Sequence, residues 1–145
     1  MIHDRILFNQ SDDVGEFVHQ LVFGHQGSFG MSYAMGFLDQ YGLLQAGAVF
    51  HNYDVHVMSV EITAAGMGSN WMSVERLNAI GSYVFGQLKC NSMVAKHDVD
   101  NRRARRLWTR IGGTEYLIKG FGGEGIDRIM HVLLASEAKA SKFWR

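Results

Sequence analysis

Apolar residues along this chain switch repeatedly between two spacings, one near every second residue and one near every third or fourth. The first spacing marks strands, whose side chains alternate between faces; the second marks amphipathic helices. Ile2 to Phe8 reads as a first strand. Val14, Phe17, Val18, Leu21 and Val22 then recur at helical spacing, with Ser11 as the expected cap and Asp12 and Asp13 at the positive helix end. Gly24 and Gly27 end that helix. Tyr33 to Leu38, Leu43 to Phe50 and His56 to Thr63 read as three strands, with turns at Gly42 and at Asn52-Tyr53-Asp54. The tight second turn favours an antiparallel pair.

A glycine-rich loop from Ala64 to Asn70 precedes a long helix, predicted over Met72 to Leu88 with Val74, Leu77, Ile80, Val84 and Leu88 as its buried stripe. Met93 to Val99 alternates as a strand. Asn101 to Ile111 is helical, with Ala104, Leu107, Trp108 and Ile111 on one side, and Gly112-Gly113 stops it. Thr114 to Phe121 and Ile129 to Leu134 close the chain as two strands. The order is strand, helix, three strands, helix, strand, helix, two strands. It predicts an α/β (α+β) chain with a mixed sheet and helices packed against it.

Composition narrows this picture. A chain of 145 residues suits a single domain spanning 1–145. With 47% hydrophobic and 19% charged residues it reads as a compact globule, not a disordered one. Cys90 is the only cysteine, so the chain has no internal disulfide framework and no Cys-rich zinc site. No apolar run approaches the ~18 residues of a membrane span, and the N-terminus lacks the layout of a signal peptide. These features lead us to expect a cytoplasmic protein without a membrane partner. The formal net charge is zero, which argues against a general attraction for nucleic acid.

Candidate chemistry concentrates in three places. Glu61 shares a strand face with Val57, Ser59 and Thr63, just before the glycine loop. It reads either as a solvated glutamate on an open sheet face or as a general base. Ala65-Gly66-Met67-Gly68-Ser69-Asn70-Trp71-Met72 lies between a strand and a helix, where backbone N–H groups are able to hold phosphate. It matches neither GxGxxG nor a Walker motif, and a plain flexible connection explains it equally well. Arg102, Arg103, Arg105, Arg106 and Arg110 crowd one short helix. That cluster fits a solvated face, contacts to cofactor phosphates or, less well given the neutral charge, nucleic acid. The histidines form no HExxH or other strong metal spacing, so no metal is expected. No nucleophile elbow appears, and Cys90 has no evident partner base.

These segments, in this order, resemble the GNAT superfamily of acyl-CoA N-acyltransferases, well from about Leu43 to Glu137 and only in topology before that; the second half is most similar to its ribosomal-protein-alanine acetyltransferase-like branch, and small bacterial and phage members are similar too. Asn101, Ala104, Trp108 and Gly112 stand where that superfamily carries Asn-x-x-Ala-x-x-x-Tyr-x-x-x-Gly-Phe. Gly123-Glu124-Gly125 with Asp127-Arg128 is similar to the branch's Glu-Gly turn, and Asn70-Trp71-Met72-Ser73 opens a helix as in the small members. The resemblance implies a mostly antiparallel sheet with one splayed parallel strand pair and acetyl-CoA as cofactor. It implies transfer of acetyl to a primary amine, on a small molecule or a protein, by direct attack. It places Ile62, Gly68, Ser69, Asn70, Trp71 and Met72 against the cofactor, Asn101 beside the pantetheine arm, and Arg102, Arg103 and Arg106 on its phosphates. Glu61, with Asn101, would be catalytic. A homodimer is compatible with it.

Two departures stand out: the usual Gln/Arg-x-x-Gly-x-Gly/Ala loop is absent, and Trp108 and Gly113 replace a Tyr and a Phe. Indole has no acidic proton to give a leaving thiolate. They motivate a second reading, in which the domain keeps the fold but serves as a binding module.

Overall fold

The computed structural model describes residues 5–141. Its elements are β1 (Arg5–Leu7), α1 (Ser11–Phe23), β2 (Ser32–Leu38), β3 (Leu44–Asp54), β4 (Ser59–Gly66), α2 (Val74–Gly81), a π-helical turn (Ser82–Gln87), β5 (Ser92–Asp98), α3 (Arg102–Arg110), β6 (Thr114–Gly123), β7 (Ile126–Leu134) and α4 (Ala135–Ala140). The predicted alternation holds, and α4 is added to it. The start of the predicted first strand, Ile2 to Asp4, lies outside the described residues. The strands order as β1-β2-β3-β4-β5-β7-β6 in one seven-stranded, mostly antiparallel sheet with one parallel pair. No helix among the described residues is long and apolar enough to cross a membrane.

The chain divides into two compact units, one from the chain up to Tyr53 with Glu61–Ile80, the other from Asp54–Val60 with Gly81 onward. In the first, β2 pairs antiparallel with β1 and β3. Val14 and Val18 of α1 are fully buried against Ala34 and Val49, with Phe17, Phe29, Leu44 and Ala65 packed around them. The helix sits close because the strands beneath it carry glycine: a Cβ on Gly47 would lie 2.7 Å from Val14 and 2.8 Å from Val18. Each valine buried this way contributes about 1.5–3 kcal/mol. Ser11 does not cap the helix. It is the first helical residue, and its hydroxyl accepts the Ala34 N–H of β2 (3.1 Å). Gly24, in the left-handed region at φ 77°, ends α1, as expected. Leu21 and Val22, assigned to the buried stripe by spacing, are exposed.

The turn after β3 also differs. Asp54 starts the turn instead of ending it, because its carboxylate accepts the His56 N–H two residues on (2.9 Å). β3 therefore runs through Asn52 to Asp54, and β4 begins at Ser59.

The long helix likewise divides. α2 starts at Val74, which is exposed, and stops at Gly81. The next stretch, Ser-Tyr-Val-Phe-Gly-Gln, is poor in helix formers and closes with a wider bond, Leu88 N–H to Tyr83 C=O (2.8 Å).

In the second unit β7 pairs antiparallel with β5 and β6, with Ala95 opposite His131 and Glu115 opposite His131 on the other side. Its core holds Met93, Ala95, Ile129 and Leu133 from the strands and Trp108 and Ile111 from the α3 segment. Asn101 caps α3 as expected, its side chain accepting the Ala104 N–H at 3.3 Å.

Candidate active site

β4 alternates as the sequence requires, so Glu61, Thr63 and Ala65 share one face, the face that Ala65 presents to the α1 core. Glu61 is only 8% exposed. A carboxylate at that depth needs partners, and they come from β3. Asn52 donates its side-chain N–H to Glu61 Oε1 (3.0 Å). His51 Nε2 lies 2.8 Å from the Thr63 hydroxyl and 3.9 Å from Glu61 Oε2. Asn52 reaches the carboxylate from a left-handed backbone at φ 50°, a conformation that asparagine tolerates better than most residues. The geometry therefore excludes a solvated glutamate and leaves an oriented carboxylate among hydrogen-bonding groups. Sequence reading missed His51 and Asn52 as its partners, and Thr63 as the partner of His51. The signal was present in the turn: residues symmetric about positions 56–57 face each other across a hairpin.

Ile62 is buried on the opposite face of β4 from Glu61. The loop that follows is shaped by two side chains. The Trp71 indole covers Gly66, where a Cβ would stand 2.3 Å from the ring. Arg76, a 4% exposed cation on α2, donates to the Trp71 carbonyl, to Gln45 Oε1 (3.1 Å) and to the Leu38 carbonyl (3.0 Å), and stacks on Phe37 at 5.1 Å. Met67 N–H bonds the Gln45 carbonyl (2.9 Å). The segment from Met67 to Ser73 is thus pinned at both ends to β2 and β3. Between the pins, Gly68, Ser69 and Asn70 are exposed, and Gly68 adopts φ 79° with open space where a Cβ would be. Met72 and Trp71 are half-buried.

In the second unit Asn101, Arg102, Arg103 and Arg106 are exposed. Arg102, Arg105, Arg106 and Arg110 line one groove of about 460 Å³ with Thr109 and Glu115; Arg103 is not among its lining residues. Arg105 is committed to a two-bond pair with Glu115 (2.8 and 2.9 Å) and also donates to the Val99 carbonyl (2.5 Å). The Arg105 hydrogen bond holds the Glu115 carboxyl below its usual range. Trp108 points inward and stacks on His131 at 5.9 Å, with His97 at 6.0 Å. Burial pushes the Cys90 thiol pKa up, so it is a poor nucleophile.

No protein-family model matches the chain, and no curated protein matches its sequence. Solved structures do match. A mutant form of the spermidine/spermine N-acetyltransferase SpeG from Vibrio cholerae aligns with a TM-score of 0.76 at 16% identity, over 95% of this chain and 98% of that one. The dodecameric spermidine N-acetyltransferase from Vibrio cholerae gives 0.72 at 16%, over 92% and 94%. A structure described as a probable acetyltransferase gives 0.69 at 17%, over 94% and 96%. Alignment over nearly whole chains shows that this protein has the GNAT fold.

Proposed function

We propose that this chain is an acetyl-CoA-dependent N-acetyltransferase that acts on a primary amine, with Glu61 as general base. The observation that carries this reading is the buried Glu61 carboxylate, oriented by Asn52 and neighboured by His51 and Thr63, on the strand that enters the open Gly68 loop. Acetyl-CoA supplies its acetyl group as a thioester. The backbone N–H groups of Gly68 to Met72 suit its pyrophosphate, and Ile62, Asn101, Arg102, Arg103 and Arg106 are the further residues assigned to it by resemblance.

Glu61 takes a proton from the incoming ammonium, directly or through water, leaving the nitrogen lone pair free to attack. Asn52 keeps one carboxylate oxygen fixed so that the other is presented to the amine. Trp108 gives no proton to the departing thiolate: its N–H is not acidic, and its indole is packed on His131. That proton is left to solvent, which a thiol with a pKa near about 8.5 tolerates.

Glu61→Gln keeps the shape of the site and removes the base. Turnover should fall at least about tenfold, while the acetyl-CoA dissociation constant measured by calorimetry stays nearly unchanged. Full turnover in that variant would remove Glu61 from the mechanism. A wild-type chain with no micromolar-range affinity for acetyl-CoA would favour the binding-module reading.

A further inference from the structure

The arginines of α3 stand where the helix gains nothing from them. Trp108, and Ile111 just beyond the helix end, pack into the core of the second unit, which turns the arginines outward. Arg102 and Arg103 occupy the first turn, where the helix end is already positive and a cation is unfavourable. That turn holds no acidic residue. Arg102, Arg106 and Arg110 then follow at four-residue spacing, so like charges neighbour each other from turn to turn. Among the described residues no carboxylate pairs with Arg102 or Arg106.

These charges border open space. Arg102, Arg105, Arg106, Thr109 and Arg110 line, with Glu115 of β6, the groove of about 460 Å³, a volume within the range of small-molecule sites. All six residues belong to the second unit. Arg105 is held by its two bonds to Glu115 and by the Val99 carbonyl, so its fork is fixed before anything binds. Four arginines against one glutamate leave the lining with a net charge of +3. The whole chain is neutral, so this positive charge is local.

We propose that this groove binds a small molecule carrying two phosphate groups, at a site separate from that of acetyl-CoA. An arginine fork donates two parallel hydrogen bonds to one phosphate. At a rise of ~1.5 Å per residue, Arg102 and Arg106, and again Arg106 and Arg110, stand about 6 Å apart along the helix axis. One phosphate reaches two neighbouring arginines; two phosphates on a short carbon frame engage the whole row. Such a ligand also offsets the repulsion along α3, so its binding raises the stability of the fold. A neutral chain with its positive charge confined to one groove favours a small anion over a nucleic-acid strand. The inference does not depend on the acetyltransferase reading. It gives Arg102 and Arg106 to this second ligand and leaves the cofactor's pyrophosphate to the loop from Gly68 to Met72, which lies in the first unit. Arg103, outside the groove lining, is the arginine that remains for the cofactor.

The test titrates the full chain by calorimetry with fructose 1,6-bisphosphate, fructose 6-phosphate and a short single-stranded RNA, at low ionic strength and again at about 0.15 M salt. The bisphosphate titration is repeated with acetyl-CoA present, and thermal unfolding is followed with and without bisphosphate. The bisphosphate should bind about tenfold tighter than the monophosphate, raise the unfolding temperature and keep its affinity beside acetyl-CoA. Arg106→Gln and Arg110→Gln should each weaken it about tenfold, and Arg110→Gln should leave acetyl-CoA affinity unchanged. Equal affinity for the two sugar phosphates, or no binding of either, would overturn the proposal. So would displacement of the bisphosphate by acetyl-CoA, which would make the groove the cofactor's own phosphate site. Tighter binding of the RNA with a steep salt dependence would make it a nucleic-acid surface instead. Unchanged bisphosphate affinity in both variants would place the ligand elsewhere. A chain that binds the bisphosphate but not acetyl-CoA counts against the transferase alone.

Discussion

Asn52 shows how much a single residue's backbone decides. At φ 50° most side chains are strained, and asparagine is among those that tolerate it. That conformation turns its amide toward Glu61 at 3.0 Å. Asn52→Gly keeps the backbone free to adopt the same angle and removes only the donor. A hydrogen bond to a charged group contributes about 1.5–3 kcal/mol, so kcat should fall roughly tenfold or more if the bond orients the base in the transition state. Acetyl-CoA affinity should not change. Kinetics in which only the amine KM rises would show that Asn52 binds the acceptor and does not position the carboxylate. Trp108 and Gly113 form a matched pair of a different kind. A Cβ at position 113 would stand 3.0 Å from the Trp108 carbonyl and 3.3 Å from its ring, so the absence of a side chain there makes room for the indole. Trp108 and Gly113 are thus one packing arrangement, in which a large residue on the helix is offset by a small one after it.

At the scale of elements, the loop between β4 and α2 owes its shape to Arg76, which no local pattern marks. A buried arginine that donates to the Trp71 and Leu38 carbonyls and to Gln45 ties three segments together. Arg76→Met fills much of the same space but leaves those acceptors unpaired. The variant should lose about 2–4 kcal/mol of stability by urea denaturation, and the bond between Gly68 and Ser69 should become more sensitive to protease. Unchanged stability would mean that solvent satisfies these carbonyls readily. Spacing does predict the existence of α1, α3 and every strand, because an amphipathic face must be buried. It misplaces the ends. Ser11, Asp54 and Ser82–Gln87 depart from expectation where a hydroxyl is taken by a neighbouring strand, a carboxylate starts a turn, or helix propensity runs out.

At the scale of the molecule, the second unit carries a buried cluster of bases with consequences for its stability. His131 is fully buried, and its Nε2 is 3.4 Å from Glu115 Oε1. His97 lies 5.2 Å from His131, ring to ring. Burial first, then the charges of His131 and Arg128, hold the His97 pKa down to about 4; burial lowers that of His131 as well. The unfolded chain therefore takes up these protons at higher pH than the folded one. The stability of the neutral form is fully present above about pH 6.5 and is lost progressively as pH falls toward 4. Allowing for partial exposure, His97 alone should cost about 1–2 kcal/mol between pH 8 and pH 5. His97→Phe should flatten the curve of unfolding free energy against pH over that range; an unchanged slope would place the titration elsewhere. The sequence by itself determined the order of elements, the Asn101 cap, the buried Val14 and Val18 of α1 and the position of Glu61 on a strand before a glycine loop. All of these depend on neighbours a few residues away, through side-chain periodicity and the demands of unpaired helix ends. Tertiary structure alone decided that His51 and Asn52 meet Glu61, that Arg76 pins the loop, and that Trp108 turns inward onto two histidines. Those contacts join residues from different strands and helices. A polar side chain shows its role only when the partners that make its burial tolerable are in place.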